Sequence, residues 1–454
     1  MPSFTQTFTL LTTLGAAAVS GGPVAKRETP SKSGPLSVYN TRLKYGLPIP
    51  PELAVTVKRA GIDASAVDKR QLLDELQNQV PPQAQAQRIQ NGSVSAFPTR
   101  NNTEWVSKIT IGTPPQTLTV QLDTGSSELW VFANSAAKAA GHAVYSPSGS
   151  SSASLIPNLA WNNSYASGDG ASGNAVYNDV VRVGDVVAQS MAVLPATTAS
   201  DSLVQSPYDG ILGLSLANYT ATLPADAQGP PAALPQASGP PNFFTTVKSS
   251  LTAPLFGVDL RQDEESFFDF GIVPMSRCRG EVGWAPVLRY LANGHDFARW
   301  NMTASGYAVG NVTAADLKPA YMTGVVDTGT TLMYLDKPIV DDYYSHVSGS
   351  RYDNASAGWV FPCAQAQPLP DFSFGVGDAD HVAVITVPGK YLNWAVNDVA
   401  KNECFGGLQE AFDYEGGKLS LFGAVAMKSA YVIFEDNRPA SDPRIGWAPK
   451  DLKL

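Results

Sequence analysis

From residue 105 onward the chain reads as short runs of alternating or consecutive apolar residues, KITIG, TLTVQL, DVVRVGDVVAQSMAVL and ADHVAVITVPG among them, parted by Gly, Pro, Asn and Ser. A period of two turns one strand face toward a core, and the punctuating residues supply turns, so the pattern predicts an all-β protein. Composition agrees: 39 Gly and 34 Pro suit a turn-rich chain, and charged residues make up only 16%. A long helical bundle is not expected. With 454 residues, 44% of them hydrophobic, the chain can build a large core, which excludes disorder of the whole.

The first 89 residues are different in kind. Residues 8–19, FTLLTTLGAAAV, are apolar or small, too short to cross a bilayer, and lead into Ala18-Val19-Ser20, which fits small-x-small cleavage, so residues 1–20 read as a secretory signal peptide. Residues 21–89 carry the basic pairs Lys26-Arg27, Lys58-Arg59 and Lys69-Arg70 and a Gln/Pro-rich stretch, VPPQAQAQ, as a propeptide and its linker would. Residues 1–89 hold 10 Lys/Arg against 6 Asp/Glu, and residues 90–454 hold 21 against 34, so a basic leader precedes an acidic body. Such a body repels phosphate backbones, which sets nucleic-acid binding aside. No other run is long and apolar enough for a transmembrane helix, so the expected product is secreted, extracellular, monomeric and without a membrane partner. Seven N-x-S/T sequons, at Asn91, Asn101, Asn162, Asn218, Asn301, Asn311 and Asn354, suit a glycoprotein. Three Cys allow one intrachain disulfide and a leftover thiol.

An internal repeat carries the chemistry. An apolar strand runs into Asp-Thr-Gly twice, as Val120-Gln-Leu-Asp123-Thr-Gly-Ser126 and as Val325-Val-Asp327-Thr-Gly-Thr330. Each is followed, far downstream, by two apolar residues and a glycine: Ile211-Leu212-Gly213 and Leu421-Phe422-Gly423. One Asp-Thr-Gly is an ordinary turn. Two in equivalent places suggest duplicated lobes, with each Asp held at a buried strand end and each Gly offering its N–H to the carboxylate. If a pseudo-two-fold axis relates the lobes, the carboxylates meet on it. Two acids in contact cannot both ionise freely, so they share a proton and act together as base and acid.

These residues resemble a pepsin-like aspartic protease of the secreted fungal penicillopepsin and aspergillopepsin group. The resemblance extends over Ile111-Gly-Thr-Pro-Pro-Gln116, Ser127-Glu-Leu-Trp-Val131, Trp161-Asn-Asn-Ser-Tyr165, Tyr208-Asp-Gly-Ile-Leu-Gly213 and Ile445-Gly-Trp-Ala-Pro449. It implies a bilobal fold of two β-barrel-like lobes with a cleft between them, an N-terminal catalytic lobe over 90–265 and a C-terminal one over 266–454. It implies Asp123 and Asp327 as the catalytic pair, activating a water for general acid–base hydrolysis of a peptide bond without a covalent intermediate. Ser126 and Thr330 would donate to the outer carboxylate oxygens, Thr124 and Thr328 would join the lobes beneath, and Gly125 and Gly329 complete the two turns. Tyr165 would sit on a flap over the cleft, bonded to Trp130.

The same resemblance implies a Cys363–Cys404 disulfide, leaving Cys278 as a partly buried thiol. Lys44, in Leu43-Lys44-Tyr45-Gly46, would stand between the two Asp as the propeptide's inhibitory cation. After the flap Tyr, related fungal enzymes carry Gly-Asp where this chain has Ala166-Ser167, which points to large apolar or aromatic substrate residues rather than Lys. Ala424 replaces the usual Asp after Gly423, and residues 221–242 form a Pro/Ala/Gly-rich insertion expected to be a surface loop. Protein or peptide substrates and the chain's own propeptide are the expected partners, with no metal or organic cofactor. The alternative is a catalytically silent pepsin-like protein that binds peptides or inhibits another enzyme. A glycosidase also uses two carboxylates but leaves the repeat unexplained. His142, His295, His346 and His381 are the only histidines and neither G-x-S-x-G nor H-E-x-x-H occurs, so serine and metalloprotease sites lack their residues.

Overall fold

A computed structural model describes residues 33–59 and 89–452, apart from 100–101, 134–136, 139, 165–169, 217–221, 225–239, 289, 293–294, 298, 365–367, 379, 399 and 415–416. The expected signal peptide, the basic pairs at Lys26 and Lys69, Tyr165, and the sequons at Asn101 and Asn218 lie outside the described residues.

The predicted strands form, and they close on themselves. Trp105–Ile111, Gln116–Asp123, Gly210–Gly213, Leu129–Phe132, Val186–Ala196 and Val176–Val183 follow one another in a sheet, and Ile109 pairs back with Val183 to complete a barrel. The run at 179–194 is a hairpin rather than one strand. Val183 pairs with Val186 across a two-residue turn, and Gly184 takes φ +56°, which a side chain would resist. In the C-terminal half an eight-stranded sheet contains Asn301–Val309, Lys318–Val326, Gly417–Phe422 and Met333–Leu335. Beside it, Arg351–Asp353, Gly358–Pro362, Glu403–Gly406 and Asn393–Asp398 make a smaller sheet. Cys363 and Cys404 are joined there by a disulfide, their Cα atoms 4.9 Å apart.

Each half repeats one three-strand unit. Gln116–Asp123 runs parallel to Gly210–Gly213, which pairs antiparallel with Leu129–Phe132. Lys318–Val326 runs parallel to Gly417–Phe422, which pairs antiparallel with Met333–Leu335. Leu122 faces Leu212 in register, and Val326 faces Phe422. The downstream apolar-apolar-Gly motifs therefore pair directly with the strands that deliver the two Asp.

The first sheet runs on, through the pairing of Phe97 with Val106, into strands drawn from both halves. Gly92–Pro98 pairs with Ser266–Phe270, that strand with Leu255–Asp259, and the order continues through Ala430–Glu435 and Arg444–Pro449 to Gly283–Pro286. The expected division at 265/266 falls in the turn between two strands of this shared sheet. Of the insertion, Thr222–Pro224 is not loop: it pairs with Leu159–Trp161 as a strand. Asn242 caps the short helix Phe243–Val247, its side chain accepting from the Thr245 N–H.

The leader adds two helices. Gly34–Lys44 starts at Ser33, whose hydroxyl accepts from the Leu36 N–H at 3.3 Å, and it ends before Gly46, at φ +66°. Pro51–Arg59 follows. Val38, Leu43, Tyr45, Leu47 and Leu53 are buried, so the leader packs as part of the core. Gly34 lies flat against the Phe405 ring, where any Cβ would collide. The Tyr334 hydroxyl meets Thr41 Oγ1 at 3.2 Å, and Arg42 lies 4.8 Å over the Phe412 ring while donating to the Pro48 carbonyl at 2.7 Å.

Candidate active site

Leu118, Val120 and Leu122 anchor the first strand in the core, so Asp123 at its end is carried inside, 3% exposed. Val325 and Val326 do the same for Asp327, which is fully buried. A buried carboxylate requires hydrogen-bond donors, and the two turns supply matching sets. The Gly125 N–H donates to Asp123 Oδ1 at 2.9 Å and the Gly329 N–H to Asp327 Oδ1 at 2.9 Å. The Ser126 hydroxyl donates to Asp123 Oδ2 at 2.5 Å, and the Thr330 hydroxyl to Asp327 Oδ2. The glycines are required by space as well: a Cβ on Gly125 would fall 2.5 Å from Asp327 Oδ1.

Beneath the carboxylates the two turns are cross-linked reciprocally. The Thr124 N–H donates to Thr328 Oγ1 at 3.0 Å and the Thr328 N–H to Thr124 Oγ1 at 2.9 Å. Each hydroxyl then donates across the interface, Thr124 to the Val326 carbonyl at 2.9 Å and Thr328 to the Leu122 carbonyl at 2.7 Å. Both hydroxyls act as donor and acceptor, a demand that neither Ala nor Val could meet. The Asp separation is thereby fixed by buried hydrogen bonds between the halves.

The pair is occupied by the chain's own leader. Lys44 Nζ lies 2.7 Å from Asp123 Oδ1, 2.8 Å from Asp327 Oδ1 and 2.7 Å from Asp327 Oδ2. One nitrogen within reach of both carboxylates places them face to face, as the duplicated motif predicts. Burial works against the Lys44 charge, yet the two carboxylates outweigh it and raise its pKa. Burial also raises Asp123, against the pull of Lys44. Burial presses Asp327 the same way, but Lys44, Thr330 and Tyr45 together hold it at about 2. The difference follows from the donors, since Asp327 receives Lys44 on both oxygens and a further hydroxyl.

That further hydroxyl belongs to Tyr45, which donates to Asp327 Oδ2 at 2.6 Å, a contact the sequence reading did not single out. Burial lifts the phenol's pKa well above its ordinary value, which keeps the proton in place to donate. The signal available was adjacency to Lys44 together with the need of a buried phenol for a polar partner. Arg299 was also missed: its guanidinium carbon lies 5.1 Å from the centre of the Tyr45 ring. Trp130 is buried, edge-on to Phe132 at 5.4 Å between ring centres, and its expected partner Tyr165 lies outside the described residues. Cys278 is half-buried, and burial pushes its thiol up to about 11.

A model of the family described as eukaryotic aspartyl protease matches residues 104–450, nearly all of the chain that follows the leader. The chain is 38% identical over 372 residues to aspergillopepsin-1 of Aspergillus pseudoglaucus, covering 81% of this chain and 84% of the relative. It is 34% identical over 422 residues to endothiapepsin of Cryphonectria parasitica, with 92% and 87% covered. To the aspartic protease pepA of Leptosphaeria maculans it is 35% identical over 462 residues, with 99% of each chain covered. The extent of these matches and the paired, symmetrically supported carboxylates agree: the chain belongs to the eukaryotic aspartyl protease family and is a pepsin-like, aspartic-type endopeptidase.

Proposed function

We propose that Asp123 and Asp327 are the catalytic pair of an acid endopeptidase made as a zymogen, and that residues 21–89 are its propeptide. The observation that carries the reading is Lys44 Nζ held within 2.8 Å of both carboxylates. A position that hydrogen-bonds both acids at once is where a water would be polarised after Lys44 leaves. One carboxylate then takes a proton from that water as its oxygen attacks the peptide carbonyl, and the other gives its proton to the carbonyl oxygen. The tetrahedral intermediate collapses with proton transfer to the leaving nitrogen. Ser126 and Thr330 hold the outer oxygens, and the Thr124–Thr328 cross-link keeps the acids at working distance.

Substrates on this reading are extended peptides with large apolar or aromatic residues at the cleaved bond. The aromatic wall of Tyr334 and Phe412 beneath the leader helix, with ring centres 4.5 Å apart, supports it. The apolar segment at 8–19 supports secretion, and no described helix is long and apolar enough to cross a membrane. Asn91, Asn311 and Asn354 are exposed and open to glycosylation. Residues 90–265 and 266–454 are the catalytic lobes, and the mature enzyme acts as a monomer.

The test is hydrolysis of a denatured protein between pH 2 and 7 by the expressed full-length chain, alongside Asp123→Asn and Asp327→Asn, with N-terminal sequencing of the processed form. Activity in acid that both substitutions abolish is the expected result. A folded, processed wild type that cleaves nothing would instead make the silent peptide-binding protein the better reading.

A further inference from the structure

Arg299 is a half-buried cation at the edge of the cleft. It precedes Trp300, which is fully buried and donates its indole N–H to the Leu214 carbonyl at 2.8 Å, so the backbone there is firmly held. Other arginines are paired: Arg261 with Asp259, Arg351 with Glu403, Arg438 with Asp436 and Arg444 with Glu435. Among the described residues no carboxylate comes within 4.0 Å of Arg299. What faces its guanidinium is the ring of Tyr45, at 5.1 Å, and the hydroxyl of that ring is bonded to Asp327. When the leader leaves, Arg299 loses this partner, whose ring spans the distance between the guanidinium and Asp327.

We propose that Arg299 is a specificity-determining residue of the mature enzyme, taking an Asp or Glu side chain of the substrate in the space that Tyr45 fills in the zymogen. The proposal rests on the proteolytic reading of the dyad. Residues 90–454 carry 21 Lys/Arg against 34 Asp/Glu, and the dyad itself is negative once one acid ionises, so this side of the cleft would otherwise repel an acidic residue. A guanidinium reverses that locally, and its planar fork can hold both oxygens of a carboxylate. The charged groups beyond the Tyr45 ring are Asp327, which accepts from the Tyr45 hydroxyl, and, while the leader is docked, Lys44, which bonds both Asp327 and Asp123. Along its own chain His295 and Asp296 precede it on the strand His295–Phe297. A guanidinium is not deprotonated in this range, so the preference titrates with the substrate. Below the ordinary Glu pKa of about 4.3 the side chain is neutral and resembles Gln; above it the ion pair forms.

The experiment uses the processed enzyme and a set of peptides that differ only in carrying Glu, Gln or Lys at successive positions around one cleaved bond. At one position the Glu peptide should exceed the Gln peptide in kcat/KM by roughly three- to tenfold at pH 5, with Lys the poorest. The Glu advantage should vanish at pH 3. Arg299→Gln should abolish it, and Arg299→Lys should retain part of it. Because the readout is a ratio within one preparation, partial misfolding of a variant cancels. Cleavage without a Glu preference at any position, or a preference that survives Arg299→Gln, overturns the proposal alone. A wild type that cleaves none of the peptides overturns the proteolytic reading and this proposal with it.

Discussion

Replacing Lys44 by Met removes a single charge and leaves a side chain of similar length. With the leader docked, that charge makes three contacts of 2.7–2.8 Å with two buried carboxylates. Taking one partner from a buried charge cluster costs about 3–5 kcal/mol. The Lys44 side chain is 16% exposed, which argues for the lower end, about 3 kcal/mol, or roughly a hundredfold in the docking equilibrium of the leader.

The effect also has a definite pH dependence. The relevant comparison is with the same dyad after the leader has left, when the carboxylates remain buried but lack the cation. Lys44 lowers the pKa of both acids relative to that state, by charge and by hydrogen bond, and Asp327 is held at about 2. Acids whose pKa falls on docking favour docking at pH above their range and lose that contribution as pH falls. The wild-type leader should therefore be held at neutral pH and released in acid. In Lys44→Met the pair keeps a shared proton whether docked or not, so the pH dependence flattens.

The assay is twofold: processing of the full-length chain followed by mass across pH 2–7, and binding of a pepstatin-type inhibitor at pH 7. The wild type should exclude inhibitor at pH 7 and process steeply on acidification, whereas Lys44→Met should admit inhibitor at pH 7 and process over a broad range. A correctly folded Lys44→Met chain that stays closed at pH 7, or keeps the wild-type pH midpoint, refutes the reasoning.

Three further outcomes follow from the geometry. Thr124→Val strands the Thr328 N–H and the Val326 carbonyl, and should lower stability by about 2–5 kcal/mol, read as a shift of the urea midpoint; an unchanged midpoint would show that the cross-link is dispensable. Gly125→Ala places a methyl 2.5 Å from Asp327 Oδ1 and should cut kcat at least a hundredfold with the far-ultraviolet circular dichroism intact; near-normal turnover would contradict the close approach. Replacing Cys363 and Cys404 by Ala opens a loop spanning 41 residues of sequence separation. That should remove about 4 kcal/mol on the chain-entropy account, visible as a lower Tm under non-reducing conditions.

Much of the site could be read from the chain because its chemistry is local and occurs twice. An Asp, the Gly two residues on and the Ser or Thr three residues on form one turn, so Asp123 and Asp327 carry their own donors in sequence. The downstream apolar-apolar-Gly motifs were legible for the same reason, each pairing with one of those strands. Less legible were contacts between distant segments whose residues look ordinary on their own. Tyr45 and Arg299 are an aromatic and a cation until the fold brings Tyr45 to Asp327 and Arg299 to the Tyr45 ring. The shared sheet was equally hidden, because nothing in Gly92–Pro98 identifies Ser266–Phe270 as its neighbour. The hairpin at Gly184 and the strand at Thr222–Pro224 show the remaining ambiguity: a long apolar run does not say where it folds back, and a Pro-rich stretch still pairs at its edge.

The sheet common to both halves bears on how the molecule is assembled. Its partners, Gly92 with Phe270 and Leu255 with Glu435, lie 178 (270 less 92) and 180 (435 less 255) residues apart in sequence, so large loops must close before these ladder bonds reward them. Such long-range pairing slows folding and leaves strand edges open in the meantime. In the folded chain the leader touches both Asp-Thr-Gly turns, through Lys44 and Tyr45. If the leader is removed as proposed, a chain that unfolds would lack the contacts of Lys44 and Tyr45, and its persistence would be set by its unfolding rate rather than by a reversible equilibrium.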